Sequence, residues 1–437
     1  MELKEKDFIQ NSMFFIVTDS KLDRSSWKKA LNDLGAKPAQ LILLESFEQA
    51  LEKLSGLIPS ALIVNYEIKE QRADELLEAF RNAFPNRAES LCILMSEDSG
   101  SFCRLAALEH FVDGVVKKPF TGKDLNAKLE SLIKEKTGLS KFEIAKHKAF
   151  ENLQNEEYEK VAAFCDKAQK RNSKDQQLQF LKAQCLKRQG SFEEALALYR
   201  QALDNQLNNQ VGQFHYHALS SLFELLVATE NYDEAFARIE EFMERFPLHP
   251  NKLQSYVKAS IMTKNYQAIV DYAKGAHHFA LVNKPFGQKL AAALAICAKS
   301  LAQTNSGLAV EANVKAIKLG REKKRVVEMG LKNLLELRQF ELVNDLVEEL
   351  WEEKELAEIL SVAQYRALEE IEENPSTIFK AGMDLTNKGL HDFYIYDLLI
   401  KSAVKVGRKK EYIMEMADNA CKHHPGKKAY FKSLVAG

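Results

Sequence analysis

The sequence predicts a multidomain chain: an N-terminal α/β domain built on a doubly wound parallel sheet, followed by an all-α superhelical solenoid. Three observations carry this. Up to about residue 133, short apolar runs alternate with helix-patterned segments. After residue 140 the strand signal stops and helical patterning is almost continuous. Within that part, features recur at a near-constant spacing, and 437 residues exceed what one compact core holds. The division expected is a 1–12 N-terminal extension, a 13–135 α/β domain, a 136–141 linker, and 142–437 helical repeats that degenerate after about 277.

Five runs read as strands: Met13 to Val17, Gln40 to Leu44, Ala61 to Asn65, Leu91 to Met95 and Gly114 to Val116. Helical stretches fall near 24–34, 46–56, 71–83, 100–110 and 121–135. Strands this apolar, each followed by a helix, belong to a parallel sheet covered on both faces. In the second part, an aromatic residue stands before a second helix at Tyr158, Phe192, Tyr232 and Tyr266, at separations of 34, 40 and 34. Phe340 and Tyr412 fit the same position in blurred units. Alanine and glycine around these points, such as Ala183, Gly190, Ala195 and Ala202, let antiparallel helices approach closely. No single hairpin buries its apolar face alone, so the hairpins must stack, and the aromatic stripe is expected in the core.

Composition excludes several classes. Hydrophobic residues at 46% and charged residues at 28% describe an ordinary globular chain, and a net charge of −1 supplies no field for nucleic acid. No apolar run approaches the ~20 residues of a membrane span. The N-terminus lacks the apolar stretch of a signal peptide, and six cysteines lie scattered without CxxC pairing, so a reducing cytoplasm with free thiols is expected. The histidine clusters His215-Tyr216-His217, His277-His278 and His423-His424 lack partner ligands at metal spacing. Nothing resembles a phosphate-binding loop or a nucleophile elbow, so no enzyme, cofactor or metal is expected.

The fifth strand ends Val115-Val116-Lys117-Lys118-Pro119-Phe120, the fourth Ile93-Leu94-Met95-Ser96, and the first Phe15-Ile16-Val17-Thr18-Asp19-Ser20. On these motifs the first 133 residues resemble the receiver domain of bacterial response regulators. The resemblance implies that Lys118 faces a phosphoryl group, that Pro119 follows a cis bond, and that Ser96 takes the phosphate-sensing hydroxyl position. It also implies two metal-holding acids after the first strand, where this chain has Thr18 and Asp19, and a phospho-accepting aspartate where it has Asn65. An amide is no anionic nucleophile. Losing carboxylates also weakens any magnesium site, and the switch aromatic is replaced by Val115. The domain is thus expected to be a pseudo-receiver, with Asp19 and Lys118 as a residual ion pair.

The helical part resembles tetratricopeptide repeats. That resemblance implies a concave face for an extended protein segment, which by register carries Phe180, Gln184, Lys187 and Arg188 in one unit and Gln254 and Lys258 in another. Charge is segregated: residues 344–374 hold 11 acids against two bases, and 401–432 nine bases against three acids. Most such faces are simply solvated, though complementary patches also leave self-association open. The expected function is a non-catalytic signalling adaptor binding protein partners, with bacterial motility or polarity control as the circuit suggested. The competing expectations are a working phospho-switch with repeat-mediated output and a secretion or assembly chaperone.

Overall fold

The computed structural model describes residues 3–69, 71–97, 101–170, 175–204, 213–246, 250–372 and 374–436. The chain divides into two compact units, Met1–Lys252 and Leu253–Gly437. The first contains helix α1 (Leu3–Asn11), strand β1 (Phe14–Val17), α2 (Lys21–Asp33), β2 (Leu41–Leu44), α3 (Phe47–Leu54) and β3 (Ala61–Asn65). A two-residue antiparallel ribbon, β4 (Glu67–Ile68) and β5 (Gln71–Arg72), follows. Then come α4 (Asp74–Ala83), β6 (Leu91–Ser96), α5 (Ser101–Glu109), β7 (Gly114–Lys117) and α6 (Gly122–Thr137).

The five long strands form one parallel sheet in the order β2-β1-β3-β6-β7. Alternation explains its two covered faces, because successive side chains in a strand point oppositely. Phe15, Val17, Leu62, Val64, Cys92 and Leu94 meet α3, α4 and α5. Phe14, Ile16, Ile63, Ile93 and Met95 meet Trp27 of α2 and Leu125, Leu129 and Ile133 of α6. Residues 3–11 are no loose extension: Ile9 of α1 is fully buried in the second of these clusters.

Six helices complete the first unit: α7 (Lys141–Gln154), α8 (Tyr158–Gln169), α9 (Gln176–Arg188), α10 (Phe192–Asp204), α11 (Gln213–Ala228) and α12 (Tyr232–Arg245). Since α6 runs to Thr137 and a Ser140 capping box opens α7, the expected linker shrinks to a three-residue turn. The second unit holds α13 (Leu253–Met262), α14 (Tyr266–Gly275), α15 (His277–Val282), α16 (Lys284–Leu301), α17 (Ser306–Leu319) and α18 (Lys324–Glu336). It continues through α19 (Phe340–Leu350), α20 (Ala357–Ile371), α21 (Pro375–Asn387), α22 (Phe393–Lys405), α23 (Lys410–His423) and α24 (Lys428–Ala436). There α16, α18, α20 and α22 each pack on the next. No helix of the described residues is long and apolar enough to cross a membrane.

One turn geometry recurs along the helical region. Glu156, Gly190, Glu230, Lys264, Arg338, Gly389 and Gly407 all have positive φ. After each, the next N–H reaches back five residues, as in Ser191 N to Leu186 O (2.9 Å) and Asn231 N to Leu226 O (2.8 Å). This left-handed cap satisfies carbonyls that a helix end leaves free. Tyr158, Phe192, Tyr232, Tyr266 and Phe340 stand two residues beyond it, as the first residue of the next helix. They are not core: Phe192 is 44% exposed and the others are half-buried. The fully buried aromatics come from inside the helices, such as Tyr199, Tyr216 and Tyr256.

Gly190 has φ +82° and open space around its Cα, so Gly190→Ala should lose about 1 kcal/mol from backbone strain alone. Glu230→Gly, at φ 63°, should change stability in the opposite direction. Urea denaturation of both variants checks the pair.

Candidate functional site

In a doubly wound sheet the crevice lies beyond the carboxyl ends of the strands, where the strand order reverses. β1 and β3 are that point here, and Thr18, Asn65, Ser96 and Lys118 all sit at the carboxyl end of the sheet. Thr18, Asn65 and Ser96 are buried. The Lys118–Pro119 peptide is cis.

Each group at this edge has a partner from the protein. Asn65 Nδ2 donates to Glu67 O at 2.8 Å, turning the amide back on its own chain. Lys118 Nζ lies 2.6 Å from Asp23 Oδ2, with both side chains mostly buried. The expected pairing with Asp19 is therefore replaced: Asp19 is exposed and makes no ion pair among the described residues. Asp23 reaches Lys118 from the first turn of α2, where the Ser20 hydroxyl caps the helix by accepting from Asp23 N at 3.2 Å. The Ser20-x-x-Asp23 spacing was the legible signal, since it is the start of a capping pattern. A second missed pair is Arg24, which donates to Thr18 O and to Glu45 Oε1 at 2.6 Å. Thr18 Oγ1 accepts from Ser20 N. Among the described residues, two ion pairs and four side chain to backbone bonds thus hold this edge.

The α/β domain is also joined to the helices of its own unit. Tyr216 of α11 donates to the Glu109 carboxylate at the end of α5, and Lys252 Nζ lies 3.2 Å from the same carboxylate. Burial and that carboxylate push the Tyr216 phenol well above its ordinary range. His217 Nε2 meets Leu108 O at 2.8 Å, and Gln213 Nε2 donates to Val112 O at 3.0 Å. Phe111 stacks on His217 at 3.9 Å between centroids. Sequence patterning gives no sign of this joint, because each of its residues is an ordinary member of a helix or turn.

The residues expected on a concave face separate. Phe180 is buried in a ring cluster with Phe150, Tyr199 and Phe214, so it is no free contact. Gln184 Nε2 donates to Ser221 Oγ at 2.8 Å. Lys187 is half-buried, which lowers its pKa, while Arg188 is exposed. Gln254 and Lys258 are exposed on α13 in the second unit. That unit has its own cleft of about 390 Å³ on α18, α20 and α22, where Arg366 stacks 3.7 Å above Tyr394 and Lys324 faces Glu358 at 3.7 Å. The cysteines are free, and burial pushes Cys92, Cys165 and Cys297 up to about 12, leaving them protonated.

No family model matches the chain, and no curated protein matches it. Among solved structures, it is similar to a receiver domain described as "BeF3 Activated DrrB Receiver Domain". The identity is 19%, over 28% of this chain and 97% of that one, with a TM-score of 0.25.

Two outcomes test this geometry. Lys118→Met should cost toward the lower end of ~3–5 kcal/mol by stranding Asp23, and adding Asp23→Asn should recover most of it. Denaturant midpoints of the single and double variants decide. Burial holds His217 near a pKa of about 4, despite Glu109 beside it, and Arg87 and Lys252 act in the same direction as burial. The unfolded chain takes up that proton first, so stability should fall as pH drops from about 6.5 toward 4. His217→Gln should flatten the slope of melting temperature against pH across that window.

Proposed function

We propose that this chain is a non-catalytic signalling adaptor, in which a receiver-like domain without phospho-transfer chemistry is built onto a tetratricopeptide-like array that binds protein partners. The observation that carries it is the closed sheet edge. Where a receiver needs a carboxylate nucleophile, Asn65 offers an amide already donating to Glu67 O. Where it needs a lysine ready for phosphate, Lys118 is neutralised by Asp23. With Thr18 in place of the first acid, and Asp19, which fits the second, turned to solvent, little anionic charge is left to hold magnesium.

The joint of α5 with α11 supports the same reading. A domain fixed to its array by Glu109, Tyr216 and Lys252 serves as part of a binding surface without needing to be switched. The recurring left-handed caps and stacked alternate helices support the repeat character of the array. For a partner segment, the cleft on α18, α20 and α22 offers an apolar floor at Leu331, Ile359 and Val362 beside Lys332 and Arg366. With Glu328, Glu358 and Asp392 also in the lining, the charges balance, and the cleft suits a segment with an apolar anchor flanked by polar groups.

Acetyl phosphate with magnesium tests the central claim. Intact-mass measurement of the full chain should find no phosphoryl adduct. An acid-resistant, base-labile adduct would sink the adaptor reading and favour a working phospho-switch. The chaperone alternative is better tested by point substitution than by deleting residues 1–138, since deletion would strip the cover from Tyr216 and His217. Lys332→Glu with Arg366→Glu should abolish capture of a co-purifying partner while leaving the melting temperature within a few degrees.

A further inference from the structure

Within the first unit lies a cleft whose charge, unlike that of the sheet edge, is not balanced. It encloses about 250 Å³ where the 84–90 loop after α4 meets α7, α9 and α11, and its walls include Arg87, Phe111, Lys146, His147, Phe150 and His217. The Arg87 guanidinium lies between two rings, 3.9 Å from the Phe111 centroid and 4.7 Å from that of Phe150. Among the described residues no carboxylate forms an ion pair with it. Asp113, whose field reaches it, is taken by Lys136 at 2.6 Å and Arg81 at 3.4 Å. Glu143, the one acid among the described residues that line the cleft, accepts from Ser140 N at 2.8 Å.

Two further groups in the wall can meet a ligand. His147 Nδ1 is buried in the same wall and has no hydrogen-bond partner among the described residues. Lys146 adds a second cation, shared with Gln177 Oε1 at 2.8 Å and Asp175 at 3.5 Å. Burial brings Arg87 down to about 10, so its charge is held there at a cost, and lowers His147 to about 4, which leaves that imidazole neutral near pH 7. Ring faces offset part of that cost for Arg87. Among the described residues no hydrogen bond engages the edge of its planar fork, and that edge matches an oxyanion.

We propose that this cleft is a binding site for an oxyanion, a phosphate or carboxylate group seated on Arg87 with His147 and Lys146 beside it. The volume lies just under the ~300–1,000 Å³ of pockets for drug-sized ligands, which suits one small anionic group. The proposal stands independently of the adaptor reading. Its ligand comes from one of two sources, a free small anion or an acidic side chain of a protein partner.

The experiment is calorimetric titration of the full chain with inorganic phosphate at constant ionic strength, beside a hexaglutamate peptide and a chloride control. Saturable phosphate binding that Arg87→Gln weakens roughly ten- to hundredfold is expected, with a smaller loss for Lys146→Gln. Peptide binding that is tighter than phosphate and equally dependent on Arg87 assigns the anion to a protein partner. Phosphate binding without peptide binding assigns it to a free anion. Absence of both, or binding unchanged in Arg87→Gln, overturns the proposal. Imidazole NMR of His147 in the unaltered protein covers the case of a variant that fails to fold. Its resonances should shift on adding phosphate but not chloride, and no shift overturns the site.

Discussion

The carboxylate of Asp113 holds together the part of the molecule on which the rest of the first unit depends. It accepts from Cys92 N at 2.8 Å, meets Lys136 at 2.6 Å, and faces Arg81 at 3.4 Å. Arg81 in turn donates to His110 O, to Phe111 O and to Ser90 Oγ. One mostly buried acid therefore ties the start of β6, the end of α6 and the turn before β7 into a single network. Removing it would strand two cations in a dry environment, which is far costlier than losing a surface pair.

That turn is where the network becomes useful. Phe111 has φ 52°, an uncommon conformation for a bulky residue, and it closes α5 with the same left-handed cap that ends the helices of the array. Held there by Arg81, its ring stacks on His217 and covers Arg87. The joint to α11 and the wall of the anion cleft are thus two faces of one side chain. Strain in the backbone is compensated by hydrogen bonds to a buried arginine.

Charge is handled in opposite ways at the two sites of this unit. At the sheet edge, Lys118 and Arg24 each meet a carboxylate from a neighbouring element, and Asn65 closes on its own turn. Around Arg87 the cations outnumber the acids, and the rings on either side stabilise a charge without neutralising it. The first arrangement favours a silent scaffold, and the second favours a ligand.

Much of this was legible in the order of residues. Strand positions follow from apolar runs that alternate with helices, because a sheet covered on both faces needs both sides of every strand apolar. The hairpin register follows from Tyr158, Phe192, Tyr232, Tyr266 and Phe340, since a short polar turn must precede each second helix. That an amide and not a carboxylate ends the third strand was written at Asn65. Partners were not. Asp23 displaced Asp19 because the first turn of α2 brings it over the sheet edge, a matter of helix direction that spacing does not encode. Phe180, which the repeat register puts on a concave face, is core because α10 and α11 close over it. The Arg87 cleft and the Glu109–Tyr216 bond join residues far apart in sequence, and only packing decides which distant groups share a dry space. Local pattern fixes where helices and strands begin, whereas long-range burial decides which charges they must satisfy.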